Sequence, residues 1–312
     1  VTTNGSDIIF WANANNVTSG TANNEIVPLG TNNISSGGGM IVLAGGLDDR
    51  GVSSGLSGLT ANDGVPDGYA YRSGPGYAGG AVDLRSTILN SGGGEIIIRG
   101  QGGNDSAGVL TSGTWSVSSG AGAIAVNGVT SSTFASGVDL GMSGAGSITA
   151  TDNAIAVTGV GLDGINITDG VQIRTINSGD IAMTGTGALG NVENAIGVES
   201  IGTTTAIASA GSLSIVGTAQ SSSTTTTKGM WLKGTYTAVD SITLTGISSN
   251  GDDVSLQDAT ISTTAGAITL NANKTSDGKI VTVNIVNLTA GGGAGLTFNS
   301  DNYDMGSGST LT

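Results

Sequence analysis

Neither cysteine nor histidine occurs in the 312 residues, which removes disulfide stapling, thiol nucleophiles, Ser-His and Cys-His relays and most zinc sites. Proline is held to 3 residues and aromatics to 4%, so the chain is neither collagen-like nor a Pro-rich linker. Charge is also scarce, at 10%, and one-sided: 9 Lys and Arg against 23 Asp and Glu leave a net charge of -14. Such a balance disfavours nucleic acid and anionic membrane surfaces as main partners. No run of about 18 apolar residues is present to cross a bilayer. No Gly-rich loop leads into the Lys-Ser/Thr of a phosphate cradle.

What is abundant is glycine, at 56 residues, beside a 37% apolar share made mainly of Ala, Val, Ile and Leu. A disordered chain would be poorer in these aliphatics, so a core of small aliphatic units is expected. The decisive feature is repetition. A phrase of Gly or Asp, a variable residue and alternating aliphatics recurs at Met40-Ile41-Val42-Leu43, Glu95-Ile96-Ile97-Ile98, Ala123-Ile124-Ala125-Val126, Ser147-Ile148-Thr149-Ala150 and Asp180-Ile181-Ala182-Met183. It returns at Ser212-Leu213-Ser214-Ile215, Ser241-Ile242-Thr243-Leu244, Ala267-Ile268-Thr269-Leu270 and Leu296-Thr297-Phe298. From Ile96 onward the period is roughly 24 to 33 residues, and the gap from Ile41 to Ile96 spans about two periods.

A second alternating phrase precedes the first: Val82-Asp83-Leu84, Val138-Asp139-Leu140, Val171-Gln172-Ile173, Ile196-Gly197-Val198, Met230-Trp231-Leu232 and Val254-Ser255-Leu256. Alternation marks strands with one side chain in and the next out. No stretch carries a helical apolar period with caps. A unit of about 28 residues cannot bury its own apolar side and must stack on its neighbours. The expected fold is all-β: a right-handed parallel β-helix (β-solenoid) of about eleven coils, continuous over residues 1–312, with an irregular, loop-bearing insertion around residues 45–80.

Stacking the second phrases in register predicts an outward column of Asp83, Asp139, Gln172, Trp231 and Ser255. Beside it stands a charge ladder in which Arg174, Glu199 and Lys233 alternate in sign on successive coils. Trp231, with Lys233 and Tyr236 nearby, is the leading candidate for ligand contact, since an outward aromatic with adjacent donors suits a sugar or a partner surface. Tyr69 and Tyr71 in the insertion are the second candidates, because loops projecting from a rigid scaffold often carry function. Asp63 and Asp67, in a segment of spaced oxygen ligands and Gly turns, are weak calcium candidates that lack full EF-hand spacing. No other cofactor is expected. Ser221 to Thr227 reads as a loop. Catalysis would require paired carboxylates such as Asp83 or Asp139 on neighbouring coils, and nothing in the sequence marks a pair, so no enzyme is expected.

The phrases Ser6-Asp7-Ile8-Ile9-Phe10-Trp11-Ala12-Asn13, Ser36-Gly37-Gly38-Gly39-Met40-Ile41-Val42-Leu43, Ser178-Gly179-Asp180-Ile181-Ala182-Met183-Thr184-Gly185 and Asp304 to Thr312 resemble those of the filamentous-haemagglutinin-like giant adhesins of bacteria. That resemblance implies a secreted β-helical rod at the bacterial surface that attaches to cells, surfaces or other copies. The chain departs from the family in showing no recognisable secretion module, and so reads as rod rather than exported head. The expected partners are neighbouring repeats of the same polypeptide or further copies stacked end to end, and cell-surface glycans. The rival expectation is a polysaccharide-binding or polysaccharide-degrading β-helix protein.

Overall fold

The computed structural model describes residues 1–13, 23–28, 31–47, 64–73, 79–103, 105–190, 195–221, 227–272 and 278–312, with backbone alone for 23, 188–190, 220 and 221. Its regular elements are all β-strands. A typical coil contributes one strand to each of three faces, as in Ile124–Thr130, Val138–Leu140 and Gly146–Ala150, followed one coil later by Ile155–Gly161, Asp163–Ile167 and Gln172–Thr175. The pairings that stack coil on coil are parallel, so the chain is a β-solenoid as expected. The first face is a stack of ten strands, from Ile8–Ala12 to Leu296–Asn299. The second and third faces form a single 16-stranded sheet. They merge because the long strands Thr227–Ala238, Gly251–Thr263 and Lys279–Thr289 bend through both.

Each bend passes through a left-handed residue, with φ of 101° at Gly234, 47° at Asp258 and 61° at Asn284. Gly needs no Cβ clearance there, and Asp and Asn tolerate this region better than other side chains. Asn284 Nδ2 also donates to Asp258 Oδ2 at 3.0 Å, tying one bend to the next.

Stacking turns the alternation of single strands into columns. On the first face Ile8, Ile41, Ile96, Ile124, Ile155, Ile181, Leu213, Ile242, Ile268 and Leu296 lie in continuous register. All but the outermost are essentially buried and belong to one core cluster with the inward columns of the other faces. Full burial of each such side chain contributes about 1.5–3 kcal/mol. At the turn from the third face to the first, hydroxyls point inward. Ser36 Oγ reaches Gly39 O on its own turn and lies 3.0 Å from Ser91 O on the next coil, and Ser91 Oγ repeats this toward Gly94 O and Ser119 O. Buried turn carbonyls thereby gain the partners they need.

The turn from the first face to the second is built differently. Gly100, Gly128, Gly159, Gly185, Gly217 and Gly246 form an unbroken column. Facing the first five across the corner are Gly108, Gly137, Gly164, Gly197 and Gly229, while Gly246 meets the backbone of Asp253. A Cβ placed on Gly159, Gly185 or Gly217 would fall well under 3.0 Å from the carbonyl oxygen of Gly164, Gly197 or Gly229 respectively. The two faces thus meet backbone to backbone along a glycine spine, an approach only glycine permits.

Two sequence expectations need correction. The segment from Ile41 to Ile96 holds one coil, not two, because Ile41 pairs directly with Ile96. The chain leaves the first face after Gly45, which is bridged to Gly68, and rejoins it at Ala70–Arg72, in register with Gly100, Gln101 and Gly102. The excursion packs Val65 on the outside of the first face against Val42, Ala44 and Ile97, and the stack has ten rungs on this face, not eleven. The phrase at Ile148 belongs to the third face, where Ile148 pairs with Val117 and Ile173. The first-face strand of that coil is Ile155–Gly161.

The spine sets a sharp test. Gly185→Ala is expected to destabilise the fold by about 3 kcal/mol or more, since the methyl meets backbone that cannot move aside. Gly295→Ala, where a Cβ would meet nothing within 4 Å, is expected to change stability by less than about 0.5 kcal/mol. Denaturant melts of the two variants check this, and equal losses would contradict it.

Candidate functional site

The outward residues of the second face form one column: Asp83, Leu110, Asp139, Asn166, Glu199, Trp231, Ser255, Val281 and Asp304. Neighbours are about 4.8 Å apart, the spacing of paired strands. An outward row is normally wet, but Asp83, Leu110 and Ser255 are buried, and Asp139, Asn166, Glu199 and Trp231 are half-buried. Polar groups in this strip therefore carry a desolvation cost that protonation, hydrogen bonding or ion pairing must offset.

Three carboxyls show that cost. Burial pushes Asp163, at the start of the strand carrying Asn166, up to about 8; the nearby Glu199 adds to the rise, against hydrogen bonds from the Ile196 N–H and the Ser136 side chain. Burial likewise pushes Asp139 up to about 6, although the Asn166 amide favours its anion. Glu199 is raised by burial against the opposing pull of Lys228 and Lys233. Asn166 links the row, donating from Nδ2 to Asp139 Oδ1 at 3.3 Å. Its Oδ1 is buried and accepts no hydrogen bond among the described residues. Asp83 is raised by burial as well, but its own cation, Arg85, at 2.8 Å, opposes the rise.

At Trp231 the row meets an aromatic-cationic cluster. Lys228 Nζ lies 4.5 Å and Lys233 Nζ 4.9 Å from the centre of the Trp231 ring, and Trp231 Nε1 donates to Gln257 Oε1 at 3.1 Å. Lys228 also approaches Asp252 at 3.8 Å, and Asp252 meets Lys279 at 3.5 Å. In a chain of net charge -14 this is a local concentration of cations around an indole. The strip can donate from protonated carboxyls, accept at Asn166, and attract anions or stack a flat ring at Trp231.

Among the residues singled out from sequence, Trp231 and Lys233 lie together on this surface. Tyr236 does not: it is fully buried in the core, its hydroxyl donating to Lys233 O at 3.0 Å, because it is inward on the third-face half of the strand Thr227–Ala238. Tyr69 is half-buried and Tyr71 buried beside the first face, so neither joins Trp231. Asp67 is buried near Arg99, whose Nη1 donates to Pro66 O at 3.3 Å; Asp63 lies outside the described residues. No cluster of three or more potential metal ligands occurs among the described residues. The ladder of Arg174, Glu199 and Lys233 does not form. Gln172 and Arg174 are on the third face, paired with Ser147 and Thr149, and Glu199 stands in the column of Trp231. Of the segment read as a loop, residues 222–226 lie outside the described residues, while Thr227 begins a strand. Sequence reasoning misses Asp163 and Asn166, although Ile165-Asn166-Ile167 carries the same alternation as the recognised strands.

Comparison with protein-family models, curated proteins and solved structures finds no match to this chain.

The raised carboxyls fix the sign of a pH effect. A carboxyl with a higher pKa in the fold than in the unfolded chain stabilises the fold while protonated. That contribution is complete below the ordinary value of 3.8 and is lost as pH rises, through about 6 for Asp139 and about 8 for Asp163. Thermal melts from pH 5 to pH 9 should therefore show a falling midpoint, and Asp163→Asn should flatten the upper half of that slope. A variant slope equal to that of the parent would contradict the assignment.

Proposed function

We propose that this chain is an extracellular structural and adhesive rod of a bacterial surface protein, with the second face around Trp231 as its contact surface. The observation that carries the reading is the stack itself, ten rungs long on the first face. Each of its outermost coils carries a cavity lined by apolar side chains. At one end a cavity of about 400 Å³ is lined by Phe10, Trp11, Ile26 and Ile34, and at the other one of about 350 Å³ by Phe298, Tyr303, Met305 and Leu311. Apolar ends and open strand edges favour another coil on top, whether from neighbouring repeats of the same polypeptide or from a second copy. The phrases shared with filamentous-haemagglutinin-like adhesins support the same role at the cell surface. Trp231 with Lys228 and Lys233 suits cell-surface glycans.

A polysaccharide-binding or polysaccharide-degrading β-helix is the second reading, favoured by one observation: Asp139 and Asp163 keep raised pKa values on adjacent coils, as an acid catalyst requires.

Electron microscopy across a concentration series, with glycan-array binding of the same protein, tests the first reading. It expects fibres or glycan retention, and Trp231→Ala should weaken retention roughly tenfold. Monomers that bind no glycan and release reducing ends from a polysaccharide would favour the second.

A further inference from the structure

Asn166 Oδ1, which accepts no hydrogen bond among the described residues, and the residue paired with Asn166 in register, Glu199, pose a specific question. Asn166 already donates to Asp139, so its amide is oriented along the column with the oxygen left to accept. Asp139 flanks Asn166 on one side and Glu199 on the other, and a carboxylate at Glu199 cannot donate to an oxygen. A carboxylic acid can. On its far side Glu199 faces Lys228, Trp231 and Lys233 on the next coil. The remaining charges around it are Asp163 in the strand of Asn166 and, beyond Lys228, Asp252 with Lys279.

We infer that Glu199 is a proton-operated latch: carrying a proton taken from solvent, it donates to Asn166 Oδ1 and completes the ladder to Asp139, and ionised, it turns to Lys228 and Lys233 and masks their charge beside Trp231. The protonated state removes the Glu199 charge from both lysines, leaving Lys228 only Asp252, which it shares with Lys279, so the contact surface becomes more cationic as pH falls. Its ligand in that state is an anionic glycan, held by the lysine charges with Trp231 as a platform. This regulation rests on the reading of the Trp231 surface as a contact face, whereas the latch itself does not.

Two readouts keep these separate. The first is Trp231 emission between pH 5 and pH 8.5, assigned by its loss in Trp231→Phe. The parent should show a titration, and Glu199→Gln, whose amide donates to Asn166 Oδ1 at every pH, should hold the acid-form emission throughout while melting cooperatively. Asn166→Leu, which removes the acceptor, should shift the titration to lower pH. The second readout is binding of dextran sulfate. The parent should bind about tenfold more tightly at pH 5.5 than at pH 8, Glu199→Gln should bind at pH 8 as the parent does at pH 5.5, and Lys228→Gln with Lys233→Gln should abolish binding at both. Emission of Glu199→Gln that titrates as in the parent overturns the latch. Dextran sulfate binding unaffected by loss of the two lysines overturns the contact face, even with the emission titration intact.

Discussion

The contact of backbone with backbone along the glycine spine is the constraint from which the rest of this solenoid follows. At the corner between the first and second faces the chain must change direction without spending space on side chains, and Gly185 against Gly197 or Gly217 against Gly229 achieves this on successive coils. The sharp corner brings the two sheets close enough for Val and Ile to fill most of the lumen with few aromatics. It also repeats in strict register, so every other column is held in phase with it. Inward hydroxyls at the turn into the first face and left-handed Gly, Asp or Asn between the second and third close the coil by other means. The high glycine content is thus a packing element and not the mark of a flexible linker.

Most of the architecture was legible in the chain because a solenoid writes its contacts at fixed sequence distance. The aliphatic pairs Ile124/Val126, Ile181/Met183 and Ile242/Leu244 announce their column directly. Periodicity alone does not choose between strands of equal alternation on different faces. Ile148 and Ile155 carry the same alternation, and what separates them is the glycine four residues on, Gly159 after Ile155 against Asp152 after Ile148, a signal that becomes meaningful only once the glycine spine is seen. The segment from Ile41 to Ile96 has the length of two coils but makes one, because an excursion adds residues without adding a rung.

The outer row of the second face was only half legible for the same reason. Trp231 stood out as a rare aromatic, but its neighbours in space depend on register between coils. The alternation at Val171 imitates a second-face strand, which puts Gln172 in the place of Asn166, and the alternation at Ile196-Gly197-Val198 imitates Met230-Trp231-Leu232, which sets Glu199 two residues off its true partner Trp231. Tyr236 lies five residues from Trp231, yet the left-handed turn at Gly234 sends it into the lumen. Desolvation of Asp139, Asp163 and Glu199 could not be read from the residues at all, since it arises from packing around an outward-facing column.

The register of the stack is the claim on which the fold, the site and the proposed role all depend, and a chain without cysteine allows it to be measured directly. Spin labels at Ile9→Cys and Ala182→Cys sit on the same outward column of the first face, five rungs apart through Val42, Ile97, Ala125 and Ala156. Double electron–electron resonance should return a single narrow distance corresponding to about 24 Å between their backbones, after allowance for the label arms. A distance of about 29 Å, the value for an additional coil, or a broad distribution would contradict the continuous, spine-registered stack.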